Sequence, residues 1–434
     1  MQKEVAEGFA AFIGIDWADR KHDVCLCVAG DDKRERLVLE HRPARIREWA
    51  EKLRERFGGA PIAICLELSR GPIVSALLEH DFFVLFPVQP ATLARYRNAF
   101  TTSRAKDDPT DAEFALELLL RHPEKLTRLK SESVPMRSLR RLVEARRDLV
   151  DDRVRLTNRI TSSLKSYFPQ VLEWFRDKEA AVFADFLERW PTLQLAQRAR
   201  RDTLVDFFRA HNVRYQAAID RRIEAVRAEQ ALTCDQAVIL PARLLVETLL
   251  PQLRAACAAI ERFDVEIAAI CAELPDYEIF RALPGAGPAL APRLLAAFGE
   301  LRERFPSAAA LQKYAGVAPV TERSGNKSWV HWRWACPTFL RQTFIEWVGQ
   351  TVPRSFWSQA FYKSCRQRGM KHQAALRALA FKWIRILYRC WTERTPYDES
   401  RYLLALQKRN APLLKSIVAP SCWHHFSFAV RLRA

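Results

Sequence analysis

The first 121 residues alternate short apolar runs with segments in which apolar residues recur at helical spacing. The apolar runs predict strands at 12–15, 24–27, 37–39, 62–66 and 82–86. The helically spaced segments predict helices at 43–57, 72–79, 90–96 and 111–121. Three strands followed by alternating helices and strands predict a mixed α/β domain.

Two of these apolar runs stop on a carboxylate. Asp16 ends the first predicted strand, and Glu67 follows the fourth. The order of elements is that of a ribonuclease-H-like fold, in which the first and fourth strands present catalytic carboxylates side by side. We therefore expect Asp16 and Glu67 at one edge of the sheet, where water, metal or substrate can reach them.

A third acidic stretch, Lys106-Asp-Asp-Pro-Thr-Asp111, precedes the last helix of this domain. Pro109 can start a helix, and Asp108 and Asp111 then share one helix face because they are three residues apart. Four converging carboxylates repel each other unless a divalent cation lies among them. The set therefore predicts a Mg²⁺ (or Mn²⁺) site for phosphodiester chemistry, although each acid taken alone is better explained as a surface residue.

Residues 136–168 predict one long amphipathic helix with a leucine-rich stripe and many arginines on its other faces. Further helical regions are predicted at 178–231 and 235–274. No glycine occurs between Gly71 and Gly285, which favours long helices and a coiled coil. Helix packing explains the stripe, and either phosphate contact or a solvated surface explains the arginines.

Turn motifs and a strongly basic segment characterise the C-terminal third. Leu283-Pro-Gly-Ala-Gly-Pro288, before a helix predicted at 289–298, resembles a helix-hairpin-helix turn, with a plain tight turn as an equal alternative. A Gly/Pro-containing loop is predicted at 314–327. Residues 327–389 hold 12 Lys or Arg and one acid, Glu346, interleaved with tryptophans. Basic side chains neutralise phosphates and aromatic rings stack on bases. The predicted nucleic-acid-binding residues are Lys327, Arg333, Arg341, Lys363, Arg366, Arg368 and Lys371.

The charge balance indicates a polyanionic partner. The 434 residues include 69 Lys or Arg and 51 Asp or Glu, a formal net charge of +18, whereas residues 1–121 hold 18 basic and 20 acidic residues. No apolar run approaches the length of a membrane-spanning helix, and the signal-peptide pattern is absent, so nucleic acid is favoured over a membrane. The 10 cysteines form no C-x-x-C pair, and Cys25 and Cys27 share a predicted strand face. We therefore expect reduced core thiols in a cytoplasmic protein that associates with the nucleoid when active.

As a set, these motifs resemble those of insertion-sequence transposases that join an N-terminal DEDD domain, which is RuvC-like, to a C-terminal transposase domain with a catalytic serine. These are the bridge-RNA-guided recombinases, and the resemblance covers nearly the whole chain. It is carried by Gly14-Ile-Asp16, Leu66-Glu67, Lys106-Asp-Asp-Pro-Thr-Asp111-Ala112, Asn158-Arg159, Tyr167-Phe168-Pro169, Leu283-Pro-Gly-x-Gly287, Tyr314-Ala-Gly316, Pro319 and Ser324-Gly325.

The resemblance implies a role for each matching residue. The metal-binding catalytic acids fall on Asp16, Glu67, Asp108 and Asp111, with Asp107 as an alternative to Asp108. The nucleophile falls on Ser324, with Ser328 as a second candidate. In this family the serine attacks a phosphodiester and forms a covalent phosphoserine bond to DNA. The resemblance also implies donor and target DNA, a guide (bridge) RNA and a homo-oligomer, either a dimer or a tetramer.

The predicted organisation is a RuvC-like DEDD domain at 8–125, a helical coiled-coil region at 130–275, a mainly α transposase domain at 276–410 and a tail at 411–434. Two other functions are compatible with parts of this pattern. One is a metal-dependent RuvC-like junction nuclease that uses only the four acids. The other is a structural nucleic-acid-binding protein with a decayed active site. A covalent protein–DNA product distinguishes the serine enzyme from both.

Overall fold

The computed structural model describes residues 8–67, 69–100, 108–411 and 413. The chain divides into a first unit, Met1–Ser131, and a second unit, Glu132–Ala434. Asp107 and most of the C-terminal tail predicted at 411–434 lie outside the described residues. Among the helices that are described, none combines the length and the apolar composition needed to cross a bilayer.

A five-stranded mixed sheet forms the centre of the first unit. Its strands are β1 Ala11–Asp16, β2 Lys21–Val28, β3 Arg34–Glu40, β4 Ile62–Leu66 and β5 Phe83–Pro87. The strand order is β3-β2-β1-β4-β5. β1 pairs antiparallel with β2 and parallel with β4, and β4 pairs parallel with β5. The predicted mixed α/β class is confirmed, and each predicted strand is present, β4 with the predicted bounds and the other four with shifted or extended ends.

Helices cover both faces of this sheet. The helices of the first unit are α1 Pro43–Arg56, α2 Pro72–Leu77, α3 Pro90–Phe100 and α4 Asp108–Arg121. Apolar residues of α1 and α2 pack with Ile13, Ile15 and Ile64 on one face. Apolar residues of α3 and α4 pack with Phe12 and Cys65 on the other face. Alternate residues of each strand therefore enter different cores, as the period of a β-strand requires.

The second unit is mostly helical. The elements in its described part are α5 Val134–Tyr167, α6 Val171–Trp174, α7 Ala181–Arg189, α8 Leu193–Arg198, α9 Arg201–Ala210, α10 Gln216–Ala228, α11 Gln236–Glu273, α12 Tyr277–Arg281, α13 Gly287–Phe298, α14 Ala308–Tyr314, β6 Val320–Ser324, β7 Lys327–His331, α15 Thr338–Thr351, α16 Phe356–Gln367, α17 His372–Glu393 and α18 Glu399–Lys408. The mainly helical character predicted for this part of the chain is confirmed.

The two long helices α5 and α11 pack antiparallel to each other. The start of α5 shares a core with the end of α11, through Val143 and Ile267. The end of α5 shares a second core with the first half of α11, through Ile160 and Leu250. An ion pair between Arg146 and Asp264 links them between these cores. The coiled-coil geometry itself stays a prediction.

The helical region predicted at 178–231 is confirmed as helical, but its helices are short, whereas the lack of glycine favoured long ones. This stretch forms four short helices, α7 to α10, that pack with the second half of α5. Pro191 separates α7 from α8. Asn212 has a φ of +62° just after α9, a conformation more often taken by glycine. The scarcity of glycine was therefore a poor guide to helix length, because Pro and Asn end helices too.

The loop predicted at 314–327 is also corrected. α14 ends at Tyr314, but Val320–Ser324 and Lys327–His331 form an antiparallel two-stranded hairpin. Much of this stretch is polar or charged and exposed, so no apolar alternation marked it as a strand pair. Turn formation at Gly325-Asn326 determines the hairpin register instead.

Candidate functional site

Asp16 and Glu67 lie side by side at the carboxyl edge of the first unit's sheet. β1 and β4 are parallel neighbours, with Ile15 aligned to Leu66, and the two acids occupy the next position on each strand. Neighbouring strands are about 4.8 Å apart, so the two Cα atoms are close neighbours. Both acids are half-buried. The edge location expected from the sequence is therefore what the strand pairing produces.

α4 crosses the face of the sheet on which these acids lie. Arg36 on β3 binds Glu113, and Arg34 binds Glu117. In the strand register, Arg36 is nearer than Arg34 to the carboxyl end of β1. Its partner Glu113 precedes Glu117 along α4, so α4 runs antiparallel to β1. The N-terminal turn of α4 therefore lies toward the strand end that carries Asp16. This turn includes Asp108 and Asp111, whose placement at a helix start is as predicted.

Asp111 is buried and bound to an arginine in this structure. Nη1 of Arg97 in α3 lies 2.6 Å from Oδ1 and 2.7 Å from Oδ2 of Asp111. The side chain of Asp111 is 6% exposed and that of Arg97 is 20% exposed. Arg97 was missed in the sequence, because only the folding of α3 against α4 brings it to an acid 14 residues away.

Asp108 is the first residue of α4, and its side chain lies outside the described part of the chain. Among the side chains that are described, no group of three or more His, Cys, Asp or Glu is placed to share a metal ion. Asp16 and Glu67 still offer adjacent carboxylate oxygens, the donors that Mg²⁺ prefers.

Asp23 is a further acid at this edge, and it was not predicted from the sequence. Asp16 on β1 is directly opposite Asp23 on β2. Asp16 is two residues from Gly14 on β1, and Asp23 is two residues from Cys25 on β2. Both acids therefore project on the face that α4 covers. Like charges directly opposite each other are destabilising, which adds to the demand for a positive group here. The alternation of Asp23 with buried Cys25 and Cys27 was the available signal.

Histidines support the turn that connects β1 to β2. His22 is fully buried, and its Nδ1 accepts a hydrogen bond from the backbone N–H of Ala18. Its Nε2 lies 2.9 Å from Nδ1 of His41, so neutral His22 carries its proton on Nε2 and donates it to His41. Burial, with a smaller contribution from His41, lowers the pKa of His22 from 6.5 to about 4. The turn that follows Asp16 is therefore built around a neutral histidine.

The cysteines of this unit are core residues. Cys25, Cys27 and Cys65 are buried, and all nine described cysteines are free thiols, as expected. Burial, with a contribution from Glu67, raises the pKa of Cys65 to about 12. The Cys65 thiol therefore stays protonated, and the effect of Glu67 places this carboxylate near the same core face.

Ser324 lies at the tip of the β6–β7 hairpin in the second unit. It is the last residue of β6 and pairs with Lys327, the first residue of β7. Gly325 has a φ of +55°, while Asn326 keeps a negative φ, the pattern of a type II′ turn with glycine at its first central position. Ser324 is exposed.

The hairpin separates the two candidate serines onto opposite faces. Residues directly opposite each other in an antiparallel pair project on the same side. Ser324 and Lys327 therefore share a face with Glu322 and Trp329, whereas Ser328 projects on the other face, opposite Arg323. Exposure alone does not distinguish the serines, but their neighbours do.

The face of Ser324 carries a connected set of polar side chains. Nε1 of Trp329 donates a hydrogen bond to Oε2 of Glu322 at 3.0 Å, and Nε2 of His331 lies 3.3 Å from the same oxygen. These contacts join side chains of the two strands below the tip. His331 is four positions from the tip, opposite Val320, so it is a partner of Glu322 and not of Ser324.

The predicted nucleic-acid-binding residues are exposed or half-buried in the second unit, and no described acid forms an ion pair with them. Lys363, Arg366, Arg368 and Lys371 are exposed along the end of α16 and the turn into α17. Glu346, the one acid of 327–389, binds Arg293 and Arg147 from other parts of the chain. The positive charge of this segment is therefore left for an external anion.

The arginines of α5 behave differently. Most of them face protein acids: Arg140 binds Glu132, Arg146 binds Asp264, Arg147 binds Asp151, Arg153 binds Glu179 and Arg155 binds Asp152. Of the two explanations left open by the sequence, phosphate contact is less favoured here than a helix surface with its own counter-charges. Arginine density alone could not distinguish these cases.

Gly285, in the turn Leu283-Pro-Gly-Ala-Gly-Pro288, serves packing. Gly285 has a φ of +73°, and a Cβ there would lie 2.7 Å from the backbone oxygen of Gln350 on α15. Trp347 of the same helix donates a hydrogen bond to the carbonyl of Pro284. The turn is therefore held against α15, and Gly285 is required for this close approach.

Two transposase family models match the chain. A DEDD-type transposase model of IS110 matches residues 13–169, which include the sheet of the first unit and α5. A model described as transposase of the IS116/IS110/IS902 family matches residues 277–363, which include the Ser324 hairpin. The two matches therefore cover both candidate regions described above.

Individual relatives show the same likeness, two of them over nearly the whole of both chains. The chain is 30% identical over 437 residues to a mini-circle protein of Streptomyces coelicolor provisionally named as the transposase for IS117, which covers 94% of this chain and 99% of the relative. It is 25% identical over 405 residues to the uncharacterised 43.6 kDa protein of insertion element IS110 from the same species, covering 90% and 96%. It is 32% identical over 206 residues to a protein of Sinorhizobium fredii provisionally named transposase y4uE, covering 47% and 57%.

Proposed function

The chain belongs to the IS110/IS116/IS902 family of transposases, and we propose that it cuts and rejoins DNA strands through the hydroxyl of Ser324, assisted by the acidic edge of the first unit. In this proposal the first unit is a RuvC-like, ribonuclease-H-like domain. Ser324 attacks a DNA phosphodiester, its oxygen becomes bonded to phosphorus, and the leaving strand takes the proton as a free hydroxyl. Rejoining reverses this step with the hydroxyl of the other strand.

One observation carries the serine assignment. Ser324 is presented at the exposed tip of a hairpin, directly opposite Lys327, on a turn that contains Gly325. A serine hydroxyl is a weak nucleophile that needs activation. The ammonium group of Lys327 is a point charge that can bind the attacked phosphate and orient it toward the serine. Ser328 has Arg323 opposite it and projects on the other face.

The acidic edge supports the second part of the proposal. Asp16 and Glu67 occupy adjacent strand ends, and α4 runs so that Asp108 and Asp111 are on the turn nearest that edge. These four carboxylates would hold a Mg²⁺ or Mn²⁺ ion. A bound divalent ion polarises the scissile phosphate and stabilises the leaving oxygen. In the structure Arg97 neutralises Asp111.

The serine mechanism has a direct chemical test. The protein is incubated with labelled DNA and Mg²⁺, together with RNA recovered from the native particle, and the product is digested and sequenced by mass spectrometry. The proposal predicts a nucleotide phosphate attached to the peptide that contains Ser324. Active strand cleavage with no protein-linked DNA would instead support a metal-dependent junction nuclease. DNA binding without cleavage would support a structural role.

We also propose that a guide RNA directs the enzyme to its DNA. The family resemblance is the origin of this proposal. The basic residues along the end of α16 and the turn into α17 form no ion pair with a described acid, which supports a partner that brings more phosphate groups than one DNA site does. Purifying the native particle and sequencing its RNA is the test. A discrete RNA species encoded beside the transposase sequence is expected, whereas nuclease-sensitive fragments of random origin would contradict it.

Assembly into a dimer or tetramer is a further part of the proposal. α11 also exposes four apolar side chains on its first half, in the same stretch whose other apolar residues pack into the core shared with α5. These residues are Val238, Leu240, Leu244 and Leu245. Exposed apolar side chains on one helix are typical of an interface with another chain. Light scattering should give a mass of at least twice 50.1 kDa, and a monomer mass at working concentration would contradict this.

A further inference from the structure

We propose that Trp334 is a stacking platform for one unpaired DNA base, and that Trp332, Arg341 and Arg377 form a cationic support beside it. None of the residues predicted from the sequence to bind nucleic acid is an aromatic residue. This inference rests on the proposed function, because a cut DNA strand is the source of unpaired bases near Ser324. It adds a base contact to an enzyme for which only phosphate and metal contacts have been proposed.

Trp334 is the most exposed tryptophan among those described. Its residue is 81% exposed, whereas Trp347, Trp357, Trp383 and Trp391 are completely buried. The buried four all donate their indole N–H to protein oxygens, and three of them account for half of the six tryptophans at 327–389 as core. A large exposed indole is costly to leave in water, so Trp334 calls for a different explanation.

Trp332 connects Trp334 to two arginines. The rings of Trp332 and Trp334 have centroids 6.4 Å apart, with planes inclined at 67°. The guanidinium carbon of Arg377, on α17, lies 3.5 Å from the centroid of the Trp332 ring, and that of Arg341, on α15, lies 5.2 Å from it. Trp332 is therefore held by two cations, and the adjoining indole of Trp334 is left exposed.

The charge around these rings is not neutralised by protein acids. Arg341 donates a hydrogen bond to the carbonyl of Arg333, and Arg333 donates one to the carbonyl of Ala318. None of Arg333, Arg341 and Arg377 forms an ion pair with any acid in the described part of the chain. Burial, with a contribution from Arg341, lowers the pKa of Arg377, as expected for neighbouring cations without a counter-ion. An aromatic face beside three uncompensated guanidinium groups is complementary to a base with its flanking phosphates.

The position of this group relative to Ser324 favours DNA as the occupant. Trp332 follows directly after β7, at the end of the hairpin opposite to Ser324. Val320, the partner of His331, is four positions before Ser324 in β6. Four positions along a strand correspond to about 13 Å. That length corresponds to roughly four nucleotides of a duplex strand. A DNA strand attached to Ser324 could therefore run along the hairpin and place a nearby base on Trp334.

Binding measurements on the full chain test this inference without any strand cleavage. The probes are a labelled thymidine homopolymer, the matching single-stranded uridine RNA, a fully paired DNA duplex and the same duplex with one bulged base. The variants are Trp334→Ala and Trp334→Phe, with Tyr215→Ala as the matched control. Tyr215 is 82% exposed on the surface of the helical region that precedes α10, so it resembles Trp334 in exposure but not in surroundings.

Trp334→Ala should weaken binding of the homopolymer and the bulged duplex by roughly 5- to 140-fold, the range for loss of one stacked base. Binding of the paired duplex should change less than about twofold. The dependence of affinity on salt should keep its slope, because no phosphate contact is removed. Trp334→Phe should recover most of the affinity, and Tyr215→Ala should behave as wild type.

Three results would overturn the inference. An equal loss on paired and unpaired DNA would show that Trp334 contacts the duplex surface. Unchanged affinity for every DNA probe would show that Trp334 binds no base. A loss confined to single-stranded uridine RNA would assign the platform to RNA. Because these measurements need no chemistry, they succeed or fail independently of the covalent adduct at Ser324.

Discussion

Gly14 on β1 lies directly beneath the backbone of Ala112 on α4, so close that a Cβ at position 14 would overlap the Ala112 carbonyl oxygen. The same Cβ would also collide with the backbone nitrogen of Leu116. Backbone atoms in a helix cannot move aside as a flexible side chain can. The glycine two residues before Asp16 therefore determines how closely α4, with Asp108 and Asp111, approaches the acidic edge.

Gly14→Ala should separate α4 from the sheet and disrupt the acidic edge. We expect a loss of about 1–3 kcal/mol in the stability of the first unit, the usual result of overpacking, together with loss of strand cleavage. The measurement is urea unfolding alongside a cleavage assay. Gly349→Ala is the matched control, because Gly349 lies inside α15, where the nearest side-chain atom is 4.0 Å from the added Cβ. Equal tolerance of both substitutions would contradict this account of Gly14.

Arg97→Ala should make the first unit depend on a divalent cation. Removing the guanidinium leaves the buried Asp111 carboxylate without this partner, at a cost of about 2 kcal/mol. The cost is below that of a fully buried pair because the Arg97 side chain is 20% exposed. Thermal melts with and without Mg²⁺ should show a larger stabilisation by Mg²⁺ in Arg97→Ala than in wild type. Arg34→Ala, which removes a more exposed pair with Glu117, should show no such difference.

The fold of the first unit was predictable because its signals are local. Buried strands read as apolar runs, and Asp16 and Glu67 interrupt them at their ends. The pairing of β1 with β4 then follows from the order of elements. Asp23 and Arg97 were not predicted, because their relation to the site depends on strand register and on the packing of α3 against α4. Neither is visible as a residue pattern along the chain.

In the second unit, the sequence indicated which segment is basic but not how that segment folds. The basic segment was recognised, but the hairpin that presents Ser324 was expected as a loop, since its polar residues lack an apolar alternation. From the sequence, the tryptophans of this segment were recognised only as aromatic residues interleaved with the basic ones. Only burial separates Trp347 and Trp383 from Trp334, because all three occur in the same basic stretch.

Stability near Asp16 should fall at mildly acidic pH. The folded-state pKa of His22, about 4, is below the ordinary value of 6.5, so the unfolded chain binds more protons between these values. The stabilisation from neutral His22 is therefore complete above pH 6.5 and is lost as pH falls toward 4, by up to about 3 kcal/mol. Hydrogen-exchange protection of β1 and β2, corrected for intrinsic rates, should show this loss. His22→Gln should flatten it, whereas a replacement at the exposed His372 should not.

Neutralising the cations on α16 and α17 should reduce the salt dependence of DNA binding. Replacing Lys363, Arg366, Arg368 and Lys371 together by Gln should lower the slope of log affinity against log salt by up to about 3 to 4 on duplex DNA, at roughly 0.9 for each lost phosphate contact. The matched control replaces Arg146, Arg153 and Arg155 of α5, which are already paired with acids. A larger change in slope for the α5 set would contradict this prediction and assign the phosphate contacts to α5.

Ser324 and Ser328 provide the most direct test of the central claim, because they are four residues apart, equally exposed and on opposite faces of one hairpin. Each is replaced by alanine, and protein, labelled DNA, RNA from the native particle and Mg²⁺ are incubated and run on a denaturing gel. Surface serines usually tolerate alanine within about 0.5 kcal/mol, so both variants should fold and bind nucleic acid. The account predicts a covalent protein–DNA band in wild type and in Ser328→Ala, and none in Ser324→Ala. A band that persists in Ser324→Ala, or its absence from cleaving wild-type protein, would contradict catalysis by Ser324.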